Sequence, residues 1–136
     1  MPANVVIDKL AWIEIRDGSI LSTRSKGKDV YYIPGGKRET GENDVEALVR
    51  EIREELSVAL VLSTLRYLKT FQAPAHGQPA GTEVKMTCYT GQYEGSLRAA
   101  AEIAEVVWLT YADYGKIGPV DQLIFDWLKE RGKLLY

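Results

Sequence analysis

Three features of this 136-residue sequence predict an α/β fold in which a mixed β-sheet is sandwiched between helices. A stretch following Asn43 carries Val45, Leu48, Val49, Ile52 and Leu56 along one helical arc. A second, near the C-terminus, carries Val120, Leu123, Ile124, Trp127 and Leu128 at helical spacing. Before and between them lie short β-rich segments bounded by turn residues. Two helices that each bury one apolar stripe need a surface to cover, and a sheet between them offers two. No linker, repeat or low-complexity tract divides the chain, so residues 1–136 are expected to form one domain with an ordinary core.

In chain order, residues 5–15 are β-rich, Asp17-Gly18 is a hairpin-type turn signal, and residues 19–24 and 29–33 continue the strand pattern. Pro34 stiffens the strand exit, and Gly35 and Gly36 open a loop that admits unusual backbone angles and close approach to a ligand. Gly41 allows a second turn. Asn43 is a good N-cap, and Glu46 three residues later completes a capping-box-like start to the first helix. Residues 58–71 read as one long or broken strand and residues 73–81 as a loop. Residues 83–93 alternate as a strand, with Val84, Met86 and Cys88 on a face expected in the core. After a Gly-Ser turn at Gly95, residues 105–109 form a short strand. Pro119 suits the first turn of the last helix, and Gly132 suits its stop.

The chemistry concentrates on the first helix. At about 100° per residue, Glu51, Glu54 and Glu55 fall within an arc of roughly 100°, beside the apolar one. Ala47 is expected along the acidic arc, its small side chain leaving the cluster open to an ion or a phosphate. At about 5 Å and an effective dielectric near 20, each carboxylate pair costs on the order of 3 kcal/mol. Pairing of Arg50 with Glu46 and Glu54 at i,i+4 returns only about 0.3–0.5 kcal/mol per pair. A bound dication is the simplest remedy. All-oxygen donors suit Mg²⁺ or Mn²⁺, whereas a single His and a single Cys cannot build a zinc cage. Taken alone, the helix reads rather as a solvated, charge-laced surface; the glycine pair upstream shifts the reading toward the ion.

Residues 36–58 as a whole resemble the box of the Nudix hydrolase family, G-x5-E-x7-R-E-U-x-E-E-x-G-U with U a bulky aliphatic residue. Gly36, Glu42, Arg50, Glu51, Ile52, Glu54, Glu55 and Val58 match, and only Ser57 departs, standing where the family has glycine. Glycine at a helix end takes a left-handed conformation, so the serine is expected to cost roughly 1 kcal/mol of local stability without touching catalysis. The resemblance covers essentially the whole chain. It implies a Nudix-type α/β/α sandwich and hydrolysis of a nucleoside diphosphate linked to another moiety, by water attack at phosphorus. It further implies that Glu51, Glu54 and Glu55 bind metal with the Gly35 carbonyl as a backbone ligand, and that Arg50 orients the glutamates.

Other roles stay open at this level. Glu42 either binds metal through water or caps the loop. The resemblance also implies a carboxylate from a later loop as base or extra ligand; Glu102 and Glu105 are the candidates, with Glu105 preferred because it precedes the Val-Val-Trp strand. Gly36, Lys37 and Arg24 are candidate substrate contacts, the two cations being otherwise solvated charges. Trp12, Tyr32, Phe71 and Tyr89 either stack on a nucleobase or fill the core. His76 either touches substrate or is incidental.

The compact size suits a nucleoside triphosphatase, Pro74 is a weak pointer to ADP-ribose hydrolysis, and nucleotide sugars and dinucleotides belong to the same class. An isopentenyl-diphosphate isomerase would need a reactive cysteine, against which the core-facing position of Cys88 speaks. A catalytically silent nucleotide-binding regulator would usually have lost box glutamates that this chain keeps. A formal charge of −2 argues against DNA binding, while structured or short capped RNA stays open. With a lone cysteine and no signal-like or spanning apolar run, a cytoplasmic protein that does not engage membranes is expected. Homodimers are common among similar proteins.

Overall fold

The structure is a computed structural model that describes residues 5–75 and 77–136; His76, a candidate substrate contact, lies outside the described residues. In chain order the strands are β1 (Val5–Trp12), β2 (Ile15–Arg16), β3 (Ser19–Ser25), β4 (Gly35–Lys37), β5 (Ala59–Leu60), β6 (Arg66–Pro74), β7 (Thr82–Thr90), β8 (Tyr93–Glu94) and β9 (Ile103–Leu109). The α-helices are α1 (Asp44–Leu56) and α2 (Pro119–Glu130). β1 pairs in parallel with β7 and antiparallel with β4, giving a mixed sheet ordered β4-β1-β7-β6. A second, antiparallel sheet runs β2-β3-β9, and β5 pairs with β8. No helix among the described residues is long and apolar enough to cross a membrane.

Strand alternation creates the layers. Successive side chains of a strand point to opposite faces, so Leu10 and Trp12 of β1 pack on one side with Leu48, Ile52 and Leu56 of α1. Ala11 and Ile13 pack on the other with Ile124, Phe125 and Leu128 of α2. Val84, Met86 and Cys88 join that second core, on the face expected from their alternation. Each fully buried Leu, Ile or Phe stabilises by about 1.5–3 kcal/mol. Trp12 is completely buried and satisfies its indole N–H by donating to the Gly91 carbonyl at 3.1 Å.

Local chemistry explains most element ends. Asp17 and Gly18 both take positive φ, 52° and 78°, as the two-residue turn between β2 and β3 requires. Asn43 Oδ1 accepts from the Glu46 N–H at 2.8 Å, and Glu46 Oε1 accepts from the Asn43 N–H at 3.0 Å, which closes the expected capping box. Ser57 ends α1 in the left-handed region at φ 62° and ψ 24°. Gly118 caps α2 ahead of Pro119 in its first turn, and Gly132 follows the helix at φ 70°.

Several expectations are corrected. Residues 29–33 are not a strand: Tyr31 and Tyr32 make only isolated bridges, to Ile117 and Thr23. The Gly27 turn at φ 76° breaks the run before them, and Pro34 has no N–H to continue a ladder. Of the two readings for residues 58–71, long or broken strand, the structure takes the broken one, interrupted by a 3₁₀ turn at Leu62–Thr64, where Thr64 Oγ1 donates to the Val61 carbonyl at 2.6 Å. β6 then runs on to Pro74. The paired glycines are themselves an edge strand, not a loop. A Cβ on Gly35 would lie 1.9 Å from the Leu10 carbonyl oxygen, so only glycine lets β4 approach β1 this closely. Leu123, expected on the apolar stripe of α2, is 41% exposed.

Candidate active site

β4 and α1 face each other across the carboxylates. A Cβ on Gly36 would sit 2.5 Å from the Glu51 carboxyl carbon, so the missing side chain is what admits Glu51 to the strand. The Gly35 N–H donates to Glu55 Oε1 at 3.3 Å. Glu55 is buried, with 8% of its surface exposed. Burial, reinforced by the charge of Glu51, pushes its carboxyl up to about 8, against the pull of the Gly35 N–H. Burial also raises Glu51, with Arg50 opposing. The Glu54 side chain is 55% exposed. The cluster is therefore graded from buried to open. Ala47 does not border it but lies fully buried in the α1 core, because the apolar arc of the helix is wider than the spacing alone implies.

Arg50 organises this region; of its two expected partners it pairs with Glu54 but not with Glu46, and it gains Glu42 and Glu51. Its guanidinium grips Glu42 with two bonds, Nε to Oε2 at 2.6 Å and Nη2 to Oε1 at 2.9 Å. Nη1 reaches Glu51 Oε1 at 2.9 Å and Glu54 Oε2 at 3.4 Å, and Nη2 donates to the Lys37 carbonyl at 3.1 Å. Glu46 is not a partner, since the capping box occupies it. These bonds from Arg50 hold Glu42 below the usual carboxylate range. Glu42 also accepts from the Glu39 N–H at 2.8 Å, so it ties the loop before α1 to the helix.

The later acids separate. Glu105 stands opposite Arg24 in the β3–β9 ladder, and its Oε1 accepts from Arg24 Nε at 3.0 Å and from the Tyr31 hydroxyl. These bonds, Tyr31 first, hold the Glu105 carboxyl below its ordinary range. The ladder shifts register between Arg24 and Ser25. Thr23 and Ser25 line the cavity that contains Glu51 and Glu55, whereas Arg24 and Glu105 do not. Glu102 does line it. The turn delivering Glu102 is pinned by the Ala100 N–H on the Glu55 carbonyl at 2.9 Å and by the Lys26 N–H on the Glu102 carbonyl at 2.8 Å, with Ala101 at φ 53° between them.

That cavity has a volume of about 410 Å³ and is bounded by Gly35, Gly36, Glu51, Glu55, Glu102 and Lys37. Lys9 and Lys28, two cations that composition and motif reading passed over, line it as well. A smaller cavity of about 130 Å³ adjoins it. Asp121 of α2 lines the smaller one, fully buried, with Oδ2 accepting from the Ile33 N–H at 2.9 Å and Oδ1 without a partner. Burial raises its carboxyl to about 7. Nothing in the helical periodicity distinguishes Asp121 from a first-turn acid favoured by the helix dipole. Of the four candidate stacking residues, Tyr32 lines both cavities, Trp12 and Phe71 are core, and Tyr89 donates its hydroxyl to Asp44 at 2.9 Å. Cys88 is fully buried and its thiol is pushed up to about 12, which leaves no reactive thiolate.

Among the described residues no three metal-ligating side chains are gathered closely enough to hold an ion as they stand. Like charges repel, and Arg50 takes up Glu51 and Glu54. The donor set nevertheless fits a hard dication, with carboxylate oxygens beside an edge strand that offers backbone carbonyls.

A NUDIX domain family model matches residues 10–129 of the chain. Among solved structures, the ORF135 protein of E. coli is 27% identical, with 92% of this chain and 91% of that one covered at a TM-score of 0.72. A MutT NUDIX hydrolase from Burkholderia pseudomallei is 22% identical, covering 84% and 88%, at a TM-score of 0.65. The MutT protein from Methanosarcina mazei Go1 is 16% identical and shares the fold over 98% and 99% of the two chains, at a TM-score of 0.75. No curated protein matches the sequence.

Proposed function

The chain belongs to the NUDIX domain family and is a hydrolase acting on phosphoric anhydrides, and from that premise we propose a metal-dependent pyrophosphohydrolase of small nucleotides. The observation that carries this reading is the single cavity in which Glu51, Glu55 and Glu102 face Gly35, Gly36 and three lysines, anionic groups for an ion beside cationic groups for phosphate. Glu51, Glu54 and Glu55, with the Gly35 carbonyl, would hold Mg²⁺ or Mn²⁺. When bound, the ion neutralises charge on the phosphate oxygens and lowers the pKa of attacking water.

Arg50 is a positioning residue that braces Glu51 and Glu54 against the loop anchored by Glu42. Glu102 accepts the proton of the attacking water in preference to Glu105, whose carboxylate is already engaged by Arg24 and Tyr31. Lys37 and Lys28 bind phosphate oxygens, and the missing Gly36 side chain leaves room for the Glu51 carboxylate against the strand. The nucleoside enters the adjoining cavity, where the unpartnered Asp121 Oδ1 meets a polar edge of the base.

Either Glu54→Gln or Glu55→Gln, each removing one charged ligand, is expected to lower turnover by orders of magnitude while circular dichroism stays native. Product analysis with Mg²⁺ over nucleoside triphosphates, nucleotide sugars, ADP-ribose and dinucleotides measures the loss and identifies the substrate. Mg²⁺-dependent product release retained by both variants would refute the assignment.

A further inference from the structure

The two cavities share part of their walls, and Lys9, Tyr32 and Met86 line both. Lys9 lies on β1, in register with Lys37 of β4 on one side and Met86 of β7 on the other. Its ammonium stands 5.7 Å from the centre of the Tyr32 ring. Its charge also offsets part of the upward push that burial gives to both Glu55 and Asp121, so it is felt at either end of the trough.

A nucleotide with its anhydride against the glutamates and its base against Asp121 has one phosphate common to both halves, the one esterified to the sugar. On the strength of the hydrolase reading above, we propose that Lys9 binds this sugar-linked phosphate at the junction of the two cavities and so sets the register of the nucleotide along the trough. An ammonium is a compact charge with three donors, suited to a tetrahedral anion. Here the nearby Tyr32 ring favours a position of the ammonium at the junction. Of these two cavities Lys37 and Lys28 line the larger and not the smaller, so they reach phosphates beyond the scissile bond but not the nucleoside half.

Wild-type protein, Lys9→Met and Lys9→Arg are titrated calorimetrically, without divalent metal, against the four common ribonucleoside monophosphates and the matching nucleosides. Lys9→Met is expected to weaken monophosphate binding about tenfold or more and to leave nucleoside binding unchanged, with partial recovery in Lys9→Arg. In hydrolysis KM rises by a similar factor while kcat changes little. Equal weakening for nucleoside and monophosphate would overturn the proposal in favour of a base contact or a structural role. Unchanged monophosphate binding, or a wild-type protein that binds neither ligand, would overturn it outright. Loss of activity in Glu54→Gln is the separate readout for the hydrolase reading, so the two ideas fail independently.

Discussion

Glu55 and Asp121 are acids whose burial outruns their hydrogen bonding, and their titration shapes how stability depends on pH. Burial lifts Glu55 from 4.5 to about 8 and Asp121 from 3.8 to about 7. Between the ordinary and the raised value the folded chain keeps the proton and the unfolded chain has lost it. The unfolded state therefore binds fewer protons, and stability falls as pH rises through that window. Asp121→Asn preserves an acceptor for the Ile33 N–H and removes the charge. Its melting temperature is expected to decline less steeply than wild type between about pH 4 and 7. Parallel declines in a pH series of thermal melts would show that Asp121 does not titrate in this range. Residues of this kind escape sequence reading because an aspartate in the first turn of α2 has an ordinary local explanation, while its enclosure under Ile33 comes from a segment 88 positions away. Glu51, Glu54, Glu55 and Arg50 were legible because their spacing on one helix already puts them on one side.

α1 shows how far local signals carry an element. Its start, at the Asn43 and Glu46 capping box, follows from two residues three apart. Its end was equally legible as a place of strain, since Ser57 occupies the left-handed conformation that glycine adopts without penalty. Ser57→Gly is expected to stabilise the protein by about 0.5–1 kcal/mol, part of the relief being offset by the freer unfolded chain. The urea midpoint should rise with an unchanged slope, and an unchanged or lower midpoint would show that the helix end is not strained. β4 illustrates the opposite case. Gly35 and Gly36 read locally as a loop because glycine weakens a strand, yet β1 and Glu51 come so close on either side that no other residue fits there. Its status as a strand depends on those neighbours.

At the scale of the molecule, the α1 core and the α2 core are bound together because β1 and β3 contribute alternate side chains to both. Loss of one core strips a face from strands the other needs, so unfolding is expected to be a single cooperative event across the described residues. Tryptophan fluorescence and far-ultraviolet circular dichroism should give coincident denaturation curves; separated transitions would mean that the cores melt independently. The sandwich itself was readable in advance, since helical and strand periods are properties of consecutive residues and their stripes dictate layering. The pairing of Glu105 with Arg24 and Tyr31 was not, nor was the arrival of Glu102 beside Glu51. Both turn on a register shift in the β3–β9 ladder and on a turn pinned to the end of α1. By itself, then, the sequence determined the layers, the box helix with its caps, and the carboxylates that spacing aligns, all governed by short-range geometry. Only the tertiary structure decided which late acid, which lysines and which buried aspartate share a cavity, because strand register and packing between distant segments set those distances.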